Sequence, residues 1–313
     1  MADYNILITD GLGENGQSIL RAAAAVDDRP GISPADLLTV AAKYDAFVIR
    51  GRTRVTPEVF DAAGRLKVIG RAGVGVDNID LAAAKAHNVT VINAPTSTTT
   101  AVAELAFGML LALAREIPRA DAAMKSGTWL KKELEGVELN GKTLGIIGYG
   151  RIGMELGKRA AAFGMNVVAY DPFISEEAVT AAGGESVSIQ DLFQWADFIS
   201  LHLPYNVHTR DLIGPLAFSQ MKDGVRIVNA ARGGIIDESA LLDALNSGKV
   251  AGAALDVFAT EPPGPTDLVK HPHVICAPHI GAQTAEAQAR AAEDIAHEVL
   301  AALRGEPLRW KVS

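Results

Sequence analysis

TLGIIGYGRIGMELGKRAAAFGMNVVAYDP, residues 143–172, passes from an apolar run through glycines 148, 150 and 153 into an Ala/Leu-rich run and then a second apolar run. That order predicts strand, turn, helix and strand. Placed there, Gly148 permits the tight turn, Gly150 lets backbone approach a pyrophosphate, Gly153 allows the helix to pack closely, and helix-end amides face the anion. In a chain with 30 glycines the GxGxxG spacing alone marks only a turn, so the flanking strands and helix carry the reading. The second strand ends at Asp171, about 20 residues past the glycines, where a carboxylate accepts hydrogen bonds from adenosine ribose hydroxyls. A 2'-phosphate would need a neighbouring cation, and Pro172, Phe173, Ile174 and Ser175 follow. The sequence therefore predicts NAD rather than NADP as cofactor.

Outward from this unit, DFISL at Asp197, VRIVN at Val225, AGAALDV at Ala251 and HVICA at His273 complete a series of six strands. The count suits a doubly wound nucleotide-binding sheet, whose ligand lies beyond the carboxyl ends of the strands. Toward the amino terminus, short apolar runs at Ile6 to Ile8, Phe47 to Ile49, Val68 to Ile69 and Val89 to Ile92 alternate with helix-like stretches. That rhythm again predicts parallel α/β structure. Between the two series, residues 98–127 predict a long helix, bent or broken near Pro118. The last segment, TAEAQARAAEDIAHEVLAAL from Thr284, is amphipathic with no sheet of its own, which predicts that it packs back on the first domain.

A length of 313 residues and 49% hydrophobic composition favour two domains with well-buried cores. A net charge of -8 argues against nucleic acid and acidic membrane surfaces as partners, since those need a basic excess. The lone cysteine, Cys276, excludes an intrachain disulfide and multi-cysteine zinc sites, and no metal site is expected. A reducing, cytoplasmic setting follows. MADYNILITD has no basic region ahead of its apolar residues, and no run approaches the roughly 20 apolar residues of a membrane helix.

Three strand-end segments carry polar residues: NAARGGIID with Arg232, LDVFATEPP with Asp256 and Glu261, and CAPHIGAQT with His279. Oxidising a secondary alcohol by hydride transfer needs a base for the hydroxyl proton, and histidine titrates in the useful range. A carboxylate on the far imidazole nitrogen orients such a ring and favours its protonated form. A guanidinium grips a substrate carboxylate with two hydrogen bonds and polarises the adjacent carbonyl. His279, Glu261 and Arg232 suit these roles. Singly, each also reads as a loop histidine, a loop cap or a helix-start ion pair, and His202, His271 and His273 also lie near strand ends. Residue type alone does not choose among the histidines.

Together these segments resemble the D-isomer-specific 2-hydroxyacid dehydrogenase family over nearly the whole chain. The resemblance implies Arg232, Glu261 and His279 as the catalytic set. It implies cofactor contacts at Gly148, Gly150, Arg151, Ile152, Gly153, Asp171, Ala230, Ala231, Asp256, Gly281 and Ala282, with Asp256 against the nicotinamide carboxamide. It further implies two doubly wound parallel-sheet, Rossmann-like domains hinged across a cleft. Residues 1–96 plus 284–313 would bind substrate and 97–283 would bind NAD, with homodimers formed through the cofactor domain, where the long apolar helix from Thr99 fits.

VIRGRTRVT, IGRAGVGVDNID, NAPTSTTTAVAELA and the GTWLKK segment narrow the implied substrate to the phosphorylated 2-hydroxy acid 3-phosphoglycerate. A phosphate needs cations beyond Arg232, and Arg50, Arg52, Arg71 and Lys131 are candidates on an otherwise acidic protein. The backbone of Ala72, Gly73, Val74 and Gly75 is expected to offer free amides to the substrate carboxylate. The chain stops soon after its last helix, so the regulatory domain of many phosphate-selective members, and serine feedback through it, are not expected. Two other readings stay open: a glyoxylate or hydroxypyruvate reductase of the same family, and a dinucleotide-sensing binding protein like the corepressors built on this fold.

Overall fold

The computed structural model describes residues 4–313, which divide into two compact units. The first runs to Thr98 and resumes at Ala282; the second is Thr99–Gly281. In the first, β1 (Asn5–Ile8), β2 (Ala25–Asp28), β3 (Ala46–Ile49), β4 (Val68–Arg71) and β5 (Thr90–Asn93) alternate with α1 (Glu14–Arg21), α2 (Pro34–Val40), α3 (Pro57–Ala62) and α4 (Leu81–Ala86). Their parallel sheet has the order β2-β1-β3-β4-β5. All four residues of β3 are buried, as expected of a strand covered on both faces.

The second unit opens with α5 (Thr99–Arg115) and α6 (Ile117–Lys125) and continues through β6 (Thr143–Ile147), α7 (Arg151–Ala162), β7 (Asn166–Tyr170), α8 (Glu176–Ala181), β8 (Glu185–Ser186), α9 (Ile189–Trp195) and β9 (Phe198–Leu201). It closes with α10 (Pro215–Gln220), β10 (Val225–Asn229), α11 (Glu238–Asn246), β11 (Val250–Leu255), α12 (Asp267–Lys270) and β12 (Val274–Cys276). Its seven parallel strands run in the order β12-β11-β10-β9-β6-β7-β8, so the winding reverses between β6 and β9. The break between α5 and α6 falls at Glu116, whose φ is 48°, and Pro118 sits in the first turn of α6, where no amide donor is missed.

The last helix, α13 (Ala285–Arg304), belongs to the first unit. Its Ile295, Val299 and Leu303 join Ile6, Ile8, Val48, Val68 and Ile92 on one face of the smaller sheet. The opposite face buries Leu7, Phe47, Ile49, Phe60 and Val91. In the larger sheet, Leu110 and Leu113 of α5 pack with Leu144, Ile146, Phe198 and Val228 on one side. Ile147, Ile199, Leu201 and Ile227 form the core on the other side. Each fully buried Leu or Ile contributes about 1.5–3 kcal/mol relative to exposure.

Candidate active site

The glycine turn stands where the winding of the larger sheet reverses, the place such sheets keep for ligands. Gly148 has φ 90°, and a Cβ there would lie 2.5 Å from the His202 carbonyl oxygen. A Cβ on Gly153 would lie 2.3 Å from the Gly148 carbonyl, so both positions demand glycine. At Gly150, by contrast, a Cβ would meet nothing within 4 Å: the backbone is open on that side. Gly150 is also the N-cap of the 12-residue helix α7, with no side chain capping the first-turn amides. These residues fit a pyrophosphate at the positive end of the helix dipole.

Asp171 braces this turn from the end of β7, its Oδ2 accepting from the Tyr149 amide at 2.8 Å and its Oδ1 from the Phe173 amide at 2.9 Å. Each carboxylate oxygen keeps lone-pair capacity for a ribose hydroxyl. The Tyr149 ring is fully buried, and burial raises its phenol pKa above the ordinary value.

Beyond β10, β11 and β12 the polar segments fold onto one another. His279 Nδ1 lies 2.9 Å from Glu261 Oε2, and the other Glu261 oxygen accepts from the Phe258 amide at 3.1 Å. His279 has φ 54°, a left-handed conformation unusual for a side chain other than Gly or Asn. What holds it there is Asp256, 1% exposed, whose oxygens accept from the Ile280 and Gly281 amides at 2.7 and 2.8 Å. The His279 amide donates to the Asp256 carbonyl at 2.8 Å. Burial raises the Asp256 pKa, opposed by those two donated hydrogen bonds. Both oxygens of this carboxylate are thus engaged in ordering the histidine turn.

Arg232 follows β10 and donates to the Ala231 carbonyl at 2.7 Å. Its own carbonyl accepts from Asn229 Nδ2 at 2.9 Å, while Asn229 Oδ1 accepts from the Ala231 amide at 3.1 Å. The arginine turn abuts the glutamate turn so closely that a Cβ on Gly233 would lie 1.8 Å from the Phe258 carbonyl. Glu238 in α11 ties the two further by accepting from the Ala259 amide at 2.6 Å. Asn229 and Glu238 were not singled out in the sequence. Asn229 had a signal, lying three residues before Arg232, but Glu238 reads as an ordinary helix-start acid.

Pairing separates the histidines. His202 is enclosed, 2.8 Å from Ser200 Oγ through Nε2, and burial lowers its pKa to about 4. His271 and His273 stand ring to ring at 5.7 Å, without a carboxylate partner among the described residues. Among the described residues, only His279 combines a position just past a strand's carboxyl end with a carboxylate on one nitrogen.

The arginine candidates for substrate, Arg50, Arg52 and Arg71, lie in the first unit. Arg50 Nη2 donates to Gln283 Oε1 at 3.4 Å. Arg52 turns elsewhere, with Nε 3.7 Å from Asp10 and its guanidinium over Gly31, at the wall of a cavity of about 330 Å³ shared with Arg54. Arg71 Nη1 lies 3.5 Å from the Ala72 carbonyl. The expectation of free amides along Ala72 to Gly75 needs correction. Ala72 donates to Ile49 and Gly73 to the Arg71 carbonyl, because the chain continues the sheet pairing and then turns tightly, which leaves Val74 and Gly75. Lys131 lies in the second unit. Among the described residues, no group of three His, Cys, Asp or Glu side chains is placed to hold a metal, and no helix is long and apolar enough to cross a membrane.

Fold and site define a class: a two-unit α/β protein whose larger unit is built for a dinucleotide and carries an arginine, glutamate and histidine at the strand ends. The chain belongs to the D-isomer-specific 2-hydroxyacid dehydrogenase family, whose NAD-binding domain matches residues 107–281. It is 47% identical over 303 residues to D-3-phosphoglycerate dehydrogenase 2, chloroplastic, of Arabidopsis thaliana, covering 96% of this chain and 49% of that one. The chain spans about half the length of the curated relatives it matches. A glyoxylate reductase from Paecilomyes thermophila superposes with TM-score 0.90 at 32% identity, covering 100% of this chain and 99% of that one. D-lactate dehydrogenase from Aquifex aeolicus, solved with NAD and lactic acid, gives TM-score 0.85 at 31% identity over 96% of each chain.

Proposed function

We propose that the chain interconverts 3-phosphoglycerate and 3-phosphohydroxypyruvate with NAD. The observation that carries the chemistry is the 2.9 Å contact between His279 Nδ1 and Glu261 Oε2, which leaves Nε2 for substrate. A bound NAD would supply the hydride acceptor for C2 of the hydroxy acid. His279 Nε2 removes the hydroxyl proton as the hydride leaves, giving ketone and imidazolium; in reduction it returns that proton. Glu261 keeps Nδ1 as the donor nitrogen and stabilises the imidazolium. Arg232 holds the substrate carboxylate and polarises the oxygen on C2. Asp256 acts through the histidine turn, with its part beside the nicotinamide carboxamide resting on family resemblance.

The phosphorylated substrate is supported by likeness to the D-3-phosphoglycerate dehydrogenases and by Arg50 and Arg71 on a protein of net charge -8. Likeness to a glyoxylate reductase along that protein's whole length favours a second reading with the same chemistry and no phosphate preference. Following NADH oxidation with 3-phosphohydroxypyruvate, hydroxypyruvate and glyoxylate side by side separates them. The proposal expects the highest kcat/KM for the phosphorylated ketone; higher efficiency with glyoxylate would establish the second reading. We place the enzyme in a reducing aqueous compartment, in keeping with the exposed thiol of Cys276.

A homodimer through the second unit is part of the proposal, supported by exposed Ile117 and Met124 on α6 and by Trp129 just beyond it, 72% exposed. Light scattering should return twice the chain mass of 32.8 kDa; a monomer at micromolar concentration would remove this part.

A further inference from the structure

We infer that Asp10 is a positioning residue for substrate binding: its buried carboxylate fixes the turn Arg50 to Thr53 and so sets where the phosphate-binding guanidinium stands. The inference rests on the proposed phosphorylated substrate. In the smaller sheet β1 pairs with β2 on one side and β3 on the other, so the winding reverses between β1 and β3. The carboxyl ends of those two strands flank the crevice where such sheets hold ligands. Asp10 lies two residues past β1, and Arg50 is the first residue past β3.

The Asp10 side chain is 5% exposed. Its Oδ2 accepts from the amides of Arg50 at 2.8 Å and Thr53 at 3.0 Å, and its Oδ1 accepts from the Thr53 hydroxyl at 2.6 Å. That hydroxyl lies 2.7 Å from Thr9 Oγ1, itself fully buried. From the other side Asn78 Nδ2 donates to the carbonyls of Arg50 at 2.9 Å and Thr53 at 2.6 Å. Donors and acceptors of a four-residue loop are thus held by two side chains, so only the arginine side chain remains to be ordered when an anion arrives.

Asp10 also divides the two arginines. Arg52 is drawn to the carboxylate, with Nε at 3.7 Å, whereas the Arg50 guanidinium donates to the neutral Gln283 amide at 3.4 Å. Arg50 is therefore the guanidinium that keeps its charge available for an anion, and the Asp10 clamp fixes its backbone.

The test is Asp10→Asn in the full chain, an isosteric change that puts an amide where a carboxylate accepts three hydrogen bonds. KM for 3-phosphohydroxypyruvate should rise roughly tenfold, hydroxypyruvate should show a clearly smaller rise, and NADH affinity by fluorescence titration should hold. Equal increases for the two ketones would mean a merely structural role and overturn the inference, as would an unchanged KM for both. Should Asp10→Asn fail to fold, Thr53→Val removes one arm of the clamp and Thr53→Ser restores its hydroxyl. The Val variant should show the phosphate-selective rise and the Ser variant most of the recovery; equal KM values for the two would overturn the inference. A native enzyme without preference for the phosphorylated ketone overturns the substrate reading and this inference with it. Preference kept intact by Asp10→Asn overturns the inference alone.

Discussion

At the scale of single residues, the acid-base role of His279 depends on a nitrogen fixed by Glu261 and a backbone held left-handed by Asp256. His279→Ala should lower kcat by roughly 10²- to 10⁴-fold and leave NADH affinity intact; turnover near the native value would refute the mechanism. Asp171→Ala should do the reverse, weakening NADH binding while kcat at saturating cofactor changes little, with fluorescence titration as the readout. His202 contributes to stability instead. Burial lowers its pKa to about 4, below the ordinary value of 6.5, so the native state disfavours its protonated form. Its stabilisation is complete above about pH 6.5 and is lost as pH falls toward 4, with a total on the order of 3 kcal/mol. Denaturant unfolding of the cofactor-free protein should therefore weaken on acidification through that window. His202→Gln should flatten the dependence; an unchanged slope would mean that the ring is hydrated in solution.

At the scale of elements, legibility follows burial. Strands covered on both faces, such as AFVI in β3 and FISL in β9, announce themselves as apolar runs. The edge strand β2, AVDD, has no such run and was missed, as was the two-residue β8. The helix break was readable from Pro118, but its seat at Glu116 was not, because the left-handed residue precedes the proline that starts the new helix. Arg232, Glu261 and His279 were legible as motif residues. Asn229, Glu238 and Asp10 were not, since what they bind is mainly backbone, and backbone carries no residue-specific pattern. The docking of α13 onto α1 gives a direct test. A Cβ on Gly16 would lie 2.5 Å from the Ala292 carbonyl, so Gly16→Ala must push the two helices apart. It should destabilise the protein by about 1–3 kcal/mol in equilibrium unfolding without altering NADH affinity, because the glycine turn lies in the other unit. A neutral result would mean that α1 shifts at little cost.

At the scale of the whole molecule, an acidic chain of net charge -8 is proposed to bind an anionic substrate, so long-range and local fields oppose each other. The net charge repels a phosphorylated ketone from every direction, whereas Arg50 and Arg71 attract it at short range. Salt separates the two, because screening acts within about 10 Å at 0.1 M and within about 3 Å at 1 M. If the arginines govern binding, raising ionic strength from about 0.05 to 0.5 M should increase KM for 3-phosphohydroxypyruvate several-fold as their attraction is screened. Glyoxylate, with a single carboxylate, should show a weaker dependence, and the Arg50→Gln variant should lose most of the native enzyme's salt response for the phosphorylated ketone. Were KM instead to fall with salt, relief of overall repulsion would be the larger effect, and these two arginines would not be the phosphate site.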